Sequence, residues 1–290
     1  MIADVDNDSI VYLNGEYRRL GDARVSVLDR GFIFGDGVYD VVPAYKGRPF
    51  RMDAHLARLE RSLASIRIQV DMTREDWQQL VVDLIQRSGL GDCMVYIQVT
   101  RGVAKRDHAF PQGIRPTVFC MVSPFERPGA QARDRGLRVV GIPDMRWLHC
   151  EIKSVSLLGN VLARQAAVDA GVDEVLQFRD GMLTEGASCN IWVVRDGVLL
   201  APPRSNLILE GIRYGLLEEL AAQTGIAFEA RPIPESDVAT ADELMLTSAT
   251  REILPIVEYE GRPVGQGVPG PVYRQLRAAY DQAIQRLEQA

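Results

Sequence analysis

Lysine, histidine and cysteine are scarce in this 290-residue chain, and each shortage narrows what it can do. Three of its 33 basic residues are lysine (Lys46, Lys105 and Lys153) and the others are arginine. A coding bias can trade surface lysine for arginine without functional meaning. It still leaves any chemistry that needs a side-chain amine with three candidates. The three histidines (His55, His108, His149) and four cysteines (Cys93, Cys120, Cys150, Cys189) show no C-x-x-C pair and no shared ligand spacing. Neither a metal site nor a disulfide framework is expected, and reduced thiols in a cytoplasmic protein are the simple reading. No apolar run approaches the ~18–20 residues of a membrane-spanning helix. The opening Met1-Ile2-Ala3-Asp4 lacks the basic and apolar regions of a secretory signal. A net charge of −6 argues against a nucleic-acid partner held by a general basic field. Neither nucleic acid nor membrane is expected as a partner.

What is present reads as a folded protein, long enough for one large or two ordinary domains. A polar stretch with Pro and Gly at 127–136 separates two apolar runs and reads as a linker. It divides the chain into a small N-terminal α+β domain (1–126) and a larger C-terminal domain (137–290). In the first, strands are expected at 10–13, 24–27, 94–100 and 117–122. Leu56, Leu59, Leu63 and Ile66 recur at helical spacing behind Asp53, a candidate N-cap. Thr73 and Asp76 form a box-like cap ahead of the stripe Trp77, Leu80, Val81, Leu84 and Ile85, and Gly89 marks its stop. In the second domain, strands are expected at 137–141, 174–178, 190–194, 198–201, 227–233, 243–247 and 253–258. Helices are expected at 157–170, 211–224 and 271–289. Many β-segments with few, widely spaced helices predict a barrel-like or two-layer α+β domain rather than a doubly wound sheet.

Lys46 sits in the turn Tyr45-Lys46-Gly47, and Lys105 in a charged loop between strands. Lys153 lies among apolar residues ahead of a helix, in Ile152-Lys153-Ser154-Val155-Ser156-Leu157. Desolvation lowers an amine's pKa and makes it a nucleophile towards a carbonyl. A lysine that only lays its stem on apolar surface gives the same pattern. His55 and Arg58 stand at i and i+3, as either an anion site or a solvated basic face requires. Thr184-Glu185-Gly186-Ala187-Ser188-Cys189-Asn190 reads as a turn with a charged lip, or as a place where a ligand nears the backbone. Gly35-Asp36-Gly37 turns into a strand that carries Tyr39.

These segments share one resemblance. Asp29-Arg30-Gly31, Phe34-Gly35-Asp36-Gly37-Val38-Tyr39, His55-Leu56-Ala57-Arg58-Leu59 and Val99-Thr100-Arg101-Gly102 occur in that order. Arg106-Asp107-His108, Arg146-Trp147, Ile152-Lys153-Ser154 and Leu158-Gly159-Asn160 follow. The segment from Thr184 to Asn190, Ile208-Leu209-Glu210-Gly211-Ile212 and Thr247-Ser248-Ala249-Thr250 complete the series. Over nearly its whole length the chain resembles class IV (fold type IV) pyridoxal-phosphate aminotransferases, on their D-amino acid branch. The resemblance implies an α+β fold with a small N-terminal α/β domain and a larger C-terminal pseudo-barrel domain.

It also implies roles. Lys153 would form the Schiff base with pyridoxal 5′-phosphate and shuttle the proton. Glu185 would pair with the ring nitrogen and keep it protonated, so that the ring accepts electrons. Arg58 would bind the phosphate, with backbone groups of Gly211, Ile212 and Arg213 at a helix N-terminus and with Ser248 and Ala249. Leu209 would cover the ring face, with Ser188 and Asn190 close by and Cys189 near the cofactor. Tyr39, Arg106 and His108 would trap the substrate carboxylate, the Arg–His loop coming from the partner subunit of a homodimer. Lys153 takes a proton from one face of the cofactor only, so the side on which the carboxylate is held sets the accepted enantiomer. The implied reaction is transamination between a D-amino acid and a 2-oxo acid, 2-oxoglutarate or pyruvate, by a ping-pong route. The alternatives on this fold are an L-branched-chain or amine aminotransferase and an aminodeoxychorismate lyase. Three positions depart from the family pattern: Asp40 where Glu is familiar, Arg213 where Thr is, and Ala249 where a second hydroxyl is. Arg213 is expected either to supply compensating charge or to point to solvent.

Overall fold

The structure, a computed structural model, describes residues 5–289; the expectation about residues 1–4 lies outside the described residues. The chain divides into two compact units. The first is the chain to Glu126 together with Ile152–Ser156, and the second is Arg127–Glu151 with Leu157–Gln289. Lys153 thus belongs to the first unit, not to the C-terminal domain in which the sequence division put it.

The first unit is a six-stranded antiparallel sheet covered by two helices. Its strand order is Glu16–Arg19, Ile10–Leu13, Thr117–Pro124, Cys93–Thr100, Gly37–Tyr45, Arg48–Pro49. Alternation along Gly37–Tyr45 turns Val38, Asp40 and Val42 to one face, where they are fully buried, and Tyr39 and Val41 to the other. Leu56, Leu59 and Leu63 of the helix Met52–Ser65 pack with Trp77, Leu80, Val81 and Leu84 of the helix Arg74–Ser88 against that sheet. Thr73 and Asp76 form the expected capping box, and Gly89 ends the helix at φ 65°. Two local expectations fail. Residues 24–27 form no strand: among the described residues, no strand pairs with them. The helix Met52–Ser65 begins behind Arg51 in the left-handed region (φ 54°) without a side-chain cap, so Asp53 is in its first turn.

The second unit holds a nine-stranded mixed sheet. The path runs Phe228–Ala230, Val198–Ala201, Asn190–Arg195, Glu243–Ser248, Glu252–Tyr259, Leu137–Pro143, Glu174–Arg179, Met182–Gly186, with Arg262–Pro263 paired to Glu252–Tyr259. Only three residues connect Met182–Gly186 to Asn190–Arg195, so the sheet curls back on itself. This is the barrel-like α+β arrangement expected. The helices Leu158–Asp169, Ile212–Thr224 and Pro271–Gln289 fall where the periodicity puts them. Residues 127–136, read as a linker, contain the helix Ala130–Arg135. Arg127 and Arg133 bind the buried Glu252 and the carboxylate of Asp281, which fixes the segment within this unit. The strand expected at 227–233 shrinks to Phe228–Ala230.

Candidate active site

In the first unit, residues 152–156 lie alongside the strand Gly37–Tyr45. Tyr39 N–H donates to the Lys153 carbonyl (2.9 Å), Val155 N–H to the Gly37 carbonyl (3.1 Å), and Val38 bridges Ser154. Lys153 N–H donates to Ser62 Oγ at 3.3 Å. The backbone of Lys153 is therefore held by a strand and a helix that are both part of the core. Its Nζ stands 4.2 Å from the centre of the Tyr39 ring, a cation–π contact, and Tyr39 stacks on Tyr96 at 5.6 Å. Burial pushes the Tyr96 phenol up to about 12.

Asp40, one residue on, faces the core. It accepts hydrogen bonds from Arg58 Nε and Nη2 (both 2.9 Å) and lies 2.7 Å from His55 Nδ1. Burial raises its carboxyl, but the charges and hydrogen bonds of Arg58 and His55 outweigh that and hold it far below the usual carboxylate range. The solvated basic face that remained open for His55 and Arg58 is excluded, since both are buried. Arg106 and His108 occupy an exposed loop, and both lie against Phe34, at 5.3 Å in each case. Among the described residues, neither forms a hydrogen bond or ring contact with Tyr39 of the same chain. Lys105 stands beside them, and Lys46 (φ 47°) sits in a turn, as expected.

In the second unit, Glu185 lies on the strand Met182–Gly186, not on a turn. It is buried, with Oε1 accepting from Leu209 N–H (2.9 Å) and Asn190 Nδ2 (3.2 Å), and Oε2 from Arg146 Nη1. Burial outweighs the attraction of Arg146 and pushes the Glu185 carboxyl up to about 6. Arg146 is shared with Asp144, which accepts from its guanidinium twice and from its backbone N–H once, and that carboxylate sits at about 2: burial raises it, and Arg146 lowers it further. Asn190 also donates to the Leu209 carbonyl (2.9 Å), and so ties Leu209 to Glu185. Gly211 precedes the helix Ile212–Thr224, whose N-terminus no side chain caps. A Cβ on Gly211 would meet Asn190 Oδ1 at 2.2 Å, so only glycine fits. Arg213 is buried with its Nε donating to Tyr280 (3.2 Å), which excludes the solvent-facing alternative. Ser248 Oγ accepts from Arg251 N–H (3.0 Å) and lies 3.4 Å from the hydroxyl of Thr250, next to Ala249. Ser188 is exposed. Cys189 is buried, and burial raises its thiol far above the usual range, which leaves it inert.

Sequence reasoning did not assign Arg146, Asp144, Ser62 or the clamping role of Asp40. Arg146 stood within a quoted motif, but its partners come from other strands. Pyridoxal phosphate presents a phosphate, a ring nitrogen and a carbonyl, and each unit by itself offers groups that suit parts of it. In the second unit, an uncapped helix N-terminus suits a phosphate; in the first, an amine with a fixed backbone suits a carbonyl. A carboxylate offers about four acceptor positions; three on Glu185 are used, which leaves room for one N–H.

Comparison with known proteins agrees. The model of the amino-transferase class IV family matches residues 37–259, and the chain belongs to that family. It is 36% identical over 276 residues to the D-alanine aminotransferase of Staphylococcus haemolyticus, covering 95% of this chain and 98% of that one. It is 35% identical over 274 residues to the D-alanine aminotransferase of Bacillus licheniformis, covering 94% and 96%. Among solved structures, it is similar to the branched-chain amino acid aminotransferase of Escherichia coli. The TM-score is 0.89 at 25% identity, over 95% of this chain and 94% of that one. Another branched-chain amino acid aminotransferase, solved with pyridoxamine 5′-phosphate, matches with the same TM-score of 0.89 and 25% identity, over 96% of this chain and 94% of that one.

Proposed function

We propose that the protein transfers the amino group of a D-amino acid such as D-alanine to a 2-oxo acid, 2-oxoglutarate or pyruvate, with ping-pong kinetics. The observation that supports this reading is the loop with Arg106 and His108, two groups able to pair with a carboxylate and set against one ring. An L-branched-chain enzyme of this fold would hold the carboxylate elsewhere and has no use for that pair. The D-alanine aminotransferase relatives support the same choice.

Pyridoxal 5′-phosphate is the cofactor; when bound it supplies a carbon that takes the amino nitrogen and a ring that accepts the electron pair left at Cα. Arg58, Ser248 and the backbone at Gly211, Ile212 and Arg213 hold its phosphate, with Ala249 beside them. Glu185 holds the ring nitrogen, Leu209 covers the ring, and Ser188 and Asn190 support it. Lys153 Nζ would take the proton from the substrate Cα and deliver it to the cofactor carbon on the other side of the amino nitrogen, as base and then as acid. Tyr39, Arg106 and His108 hold the substrate carboxylate, which turns the Cα–H of the D-enantiomer towards Lys153.

The reading includes a homodimer in which Arg106 and His108 serve the partner subunit's substrate. Exposed apolar side chains supply surface for it: Val27 and Phe32 (70% and 75%) in the first unit, Met145 and Leu158 (84% and 71%) in the second. A cytoplasmic setting suits the four buried free thiols. Arg106→Ala tests the carboxylate assignment. The KM for D-alanine should rise about tenfold or more, the loss of one charged hydrogen-bond donor. An unchanged KM removes Arg106 from substrate binding and favours the branched-chain, amine or lyase alternatives.

A further inference from the structure

Arg30 has no place in the chemistry above, yet it is almost completely buried, at 3% exposure. It opens the short helix Arg30–Phe34, whose N-cap Asp29 accepts from Gly31 N–H. Its Nε donates to Asp36 Oδ2 at 2.7 Å. Its other two nitrogens reach the loop: Nη1 donates to the Asp107 carbonyl and Nη2 to the His108 carbonyl (3.3 Å). Arg30 N–H also donates to the Gly102 carbonyl (2.9 Å), and Asp29 bridges Val103. Phe34, one turn on, carries the side chains of Arg106 and His108 on its ring. At the far end of the loop, Phe110 lies 3.6 Å under Arg101, which is itself paired twice to Asp36 (2.8 and 2.9 Å). Residues 105–110 are otherwise exposed, so these contacts decide where the loop stands.

We propose that Arg30, with Phe34, is a positioning residue for substrate recognition: it fixes the backbone beneath Arg106 and His108, so that both side chains meet the substrate carboxylate already oriented. This rests on the reading that Arg106 and His108 bind that carboxylate. A loop ordered in advance spends no binding energy on ordering at the moment of encounter. Arg30 acts through main-chain carbonyls, so it controls the pair without touching substrate. Burial raises the Asp36 carboxyl, but Arg101 and Arg30 outweigh it and keep Asp36 charged, which anchors the network.

The test compares holoenzymes of the wild type, Arg30→Met, Arg30→Lys, Phe34→Leu and Arg106→Ala by steady-state kinetics and amide hydrogen exchange. Arg30→Met leaves Asp36 paired with Arg101, so no buried carboxylate is stranded. Its KM for D-alanine should rise about tenfold while kcat stays within about threefold, and amides at 104–110 should exchange faster. Arg30→Lys keeps one donor nitrogen and should recover part of the KM. Phe34→Leu should act in the same direction without altering a charge, which keeps the claim testable if Arg30→Met fails to fold. Arg106→Ala should raise KM with loop exchange unchanged. The proposal is overturned if Arg106→Ala raises KM while Arg30→Met and Phe34→Leu leave it within about twofold. It is also overturned if Arg30→Met lowers kcat alone. An unchanged KM in Arg106→Ala would instead sink the carboxylate reading, and this proposal with it.

Discussion

Two buried carboxylates that lie against arginine, Asp40 in the first unit and Glu185 in the second, are built for different work. Asp40 accepts two hydrogen bonds from Arg58 and one contact from His55, and is held far below the usual carboxylate range. Glu185 faces an arginine that Asp144 also claims, and burial wins, so its carboxyl rises to about 6. Asp40 is a permanent counter-ion: its charge is spent on holding Arg58 in place. Glu185 keeps acceptor capacity and a titration near neutrality, as suits a group that must answer a proton on a ligand. The same residue chemistry gives a clamp in one unit and a poised acceptor in the other, and the number of competing partners makes the difference.

The largest effect expected from breaking this contrast is on stability. Asp40→Ala leaves the Arg58 guanidinium buried without its carboxylate, and should cost about 3–5 kcal/mol in urea unfolding. Glu185→Gln should leave stability at neutral pH unchanged or slightly raised, because burial makes the charged carboxylate the costly form and Arg146 keeps Asp144. Turnover should reverse the order. Glu185→Gln should lower kcat about 10²-fold, measured with saturating D-alanine, if Glu185 faces the ring nitrogen as proposed, because the group there loses its charge. Equal losses of stability in the two variants would erase the distinction between clamp and acceptor.

Titration sharpens it further. Glu185 is raised, so its charged form is the costly one once folded. The apoprotein should lose roughly 2 kcal/mol of stability relative to Glu185→Gln as pH rises from the ordinary 4.5 to about 6, and nothing more above that. Asp40 has the opposite sign. Its contribution is complete above its ordinary value of 3.8 and is lost only on further acidification. Unfolding midpoints across that range check both. A smaller effect is expected at the helix N-terminus. Gly211→Ala pushes a methyl into Asn190 and should weaken pyridoxal phosphate binding about tenfold, read by titrating the apoprotein. Arg213→Thr shows in the same titration what the inward-turned Arg213 costs or contributes.

Much of the fold was legible where the signal is local. The Thr73–Asp76 box, the stop at Gly89 and the helix Pro271–Gln289 need only neighbouring residues. Other features needed partners far along the chain. The end of the strand Met182–Gly186 was open to being a turn, because its polar Thr184 and Glu185 look like one until strand pairing buries them. His55 and Arg58 stayed open between an anion site and a solvated face because Asp40, 18 residues before Arg58, decides the matter. Lys153 was singled out by scarcity and by motif, but its anchoring to a strand more than 100 residues earlier left no trace in its own segment. Arg146 was visible only as part of a motif, since its role depends on Glu185, 39 residues later.

The central claim, transamination of D-amino acids, is met most directly by one coupled assay of the purified holoenzyme, with D-alanine and L-alanine as alternative donors to 2-oxoglutarate. Turnover with D-alanine should stand at least about 100-fold above that with L-alanine, since only one enantiomer presents its Cα–H to Lys153 when the carboxylate is held by Arg106 and His108. Preferred turnover of L-alanine, or of L-branched-chain amino acids in the same assay, would contradict it.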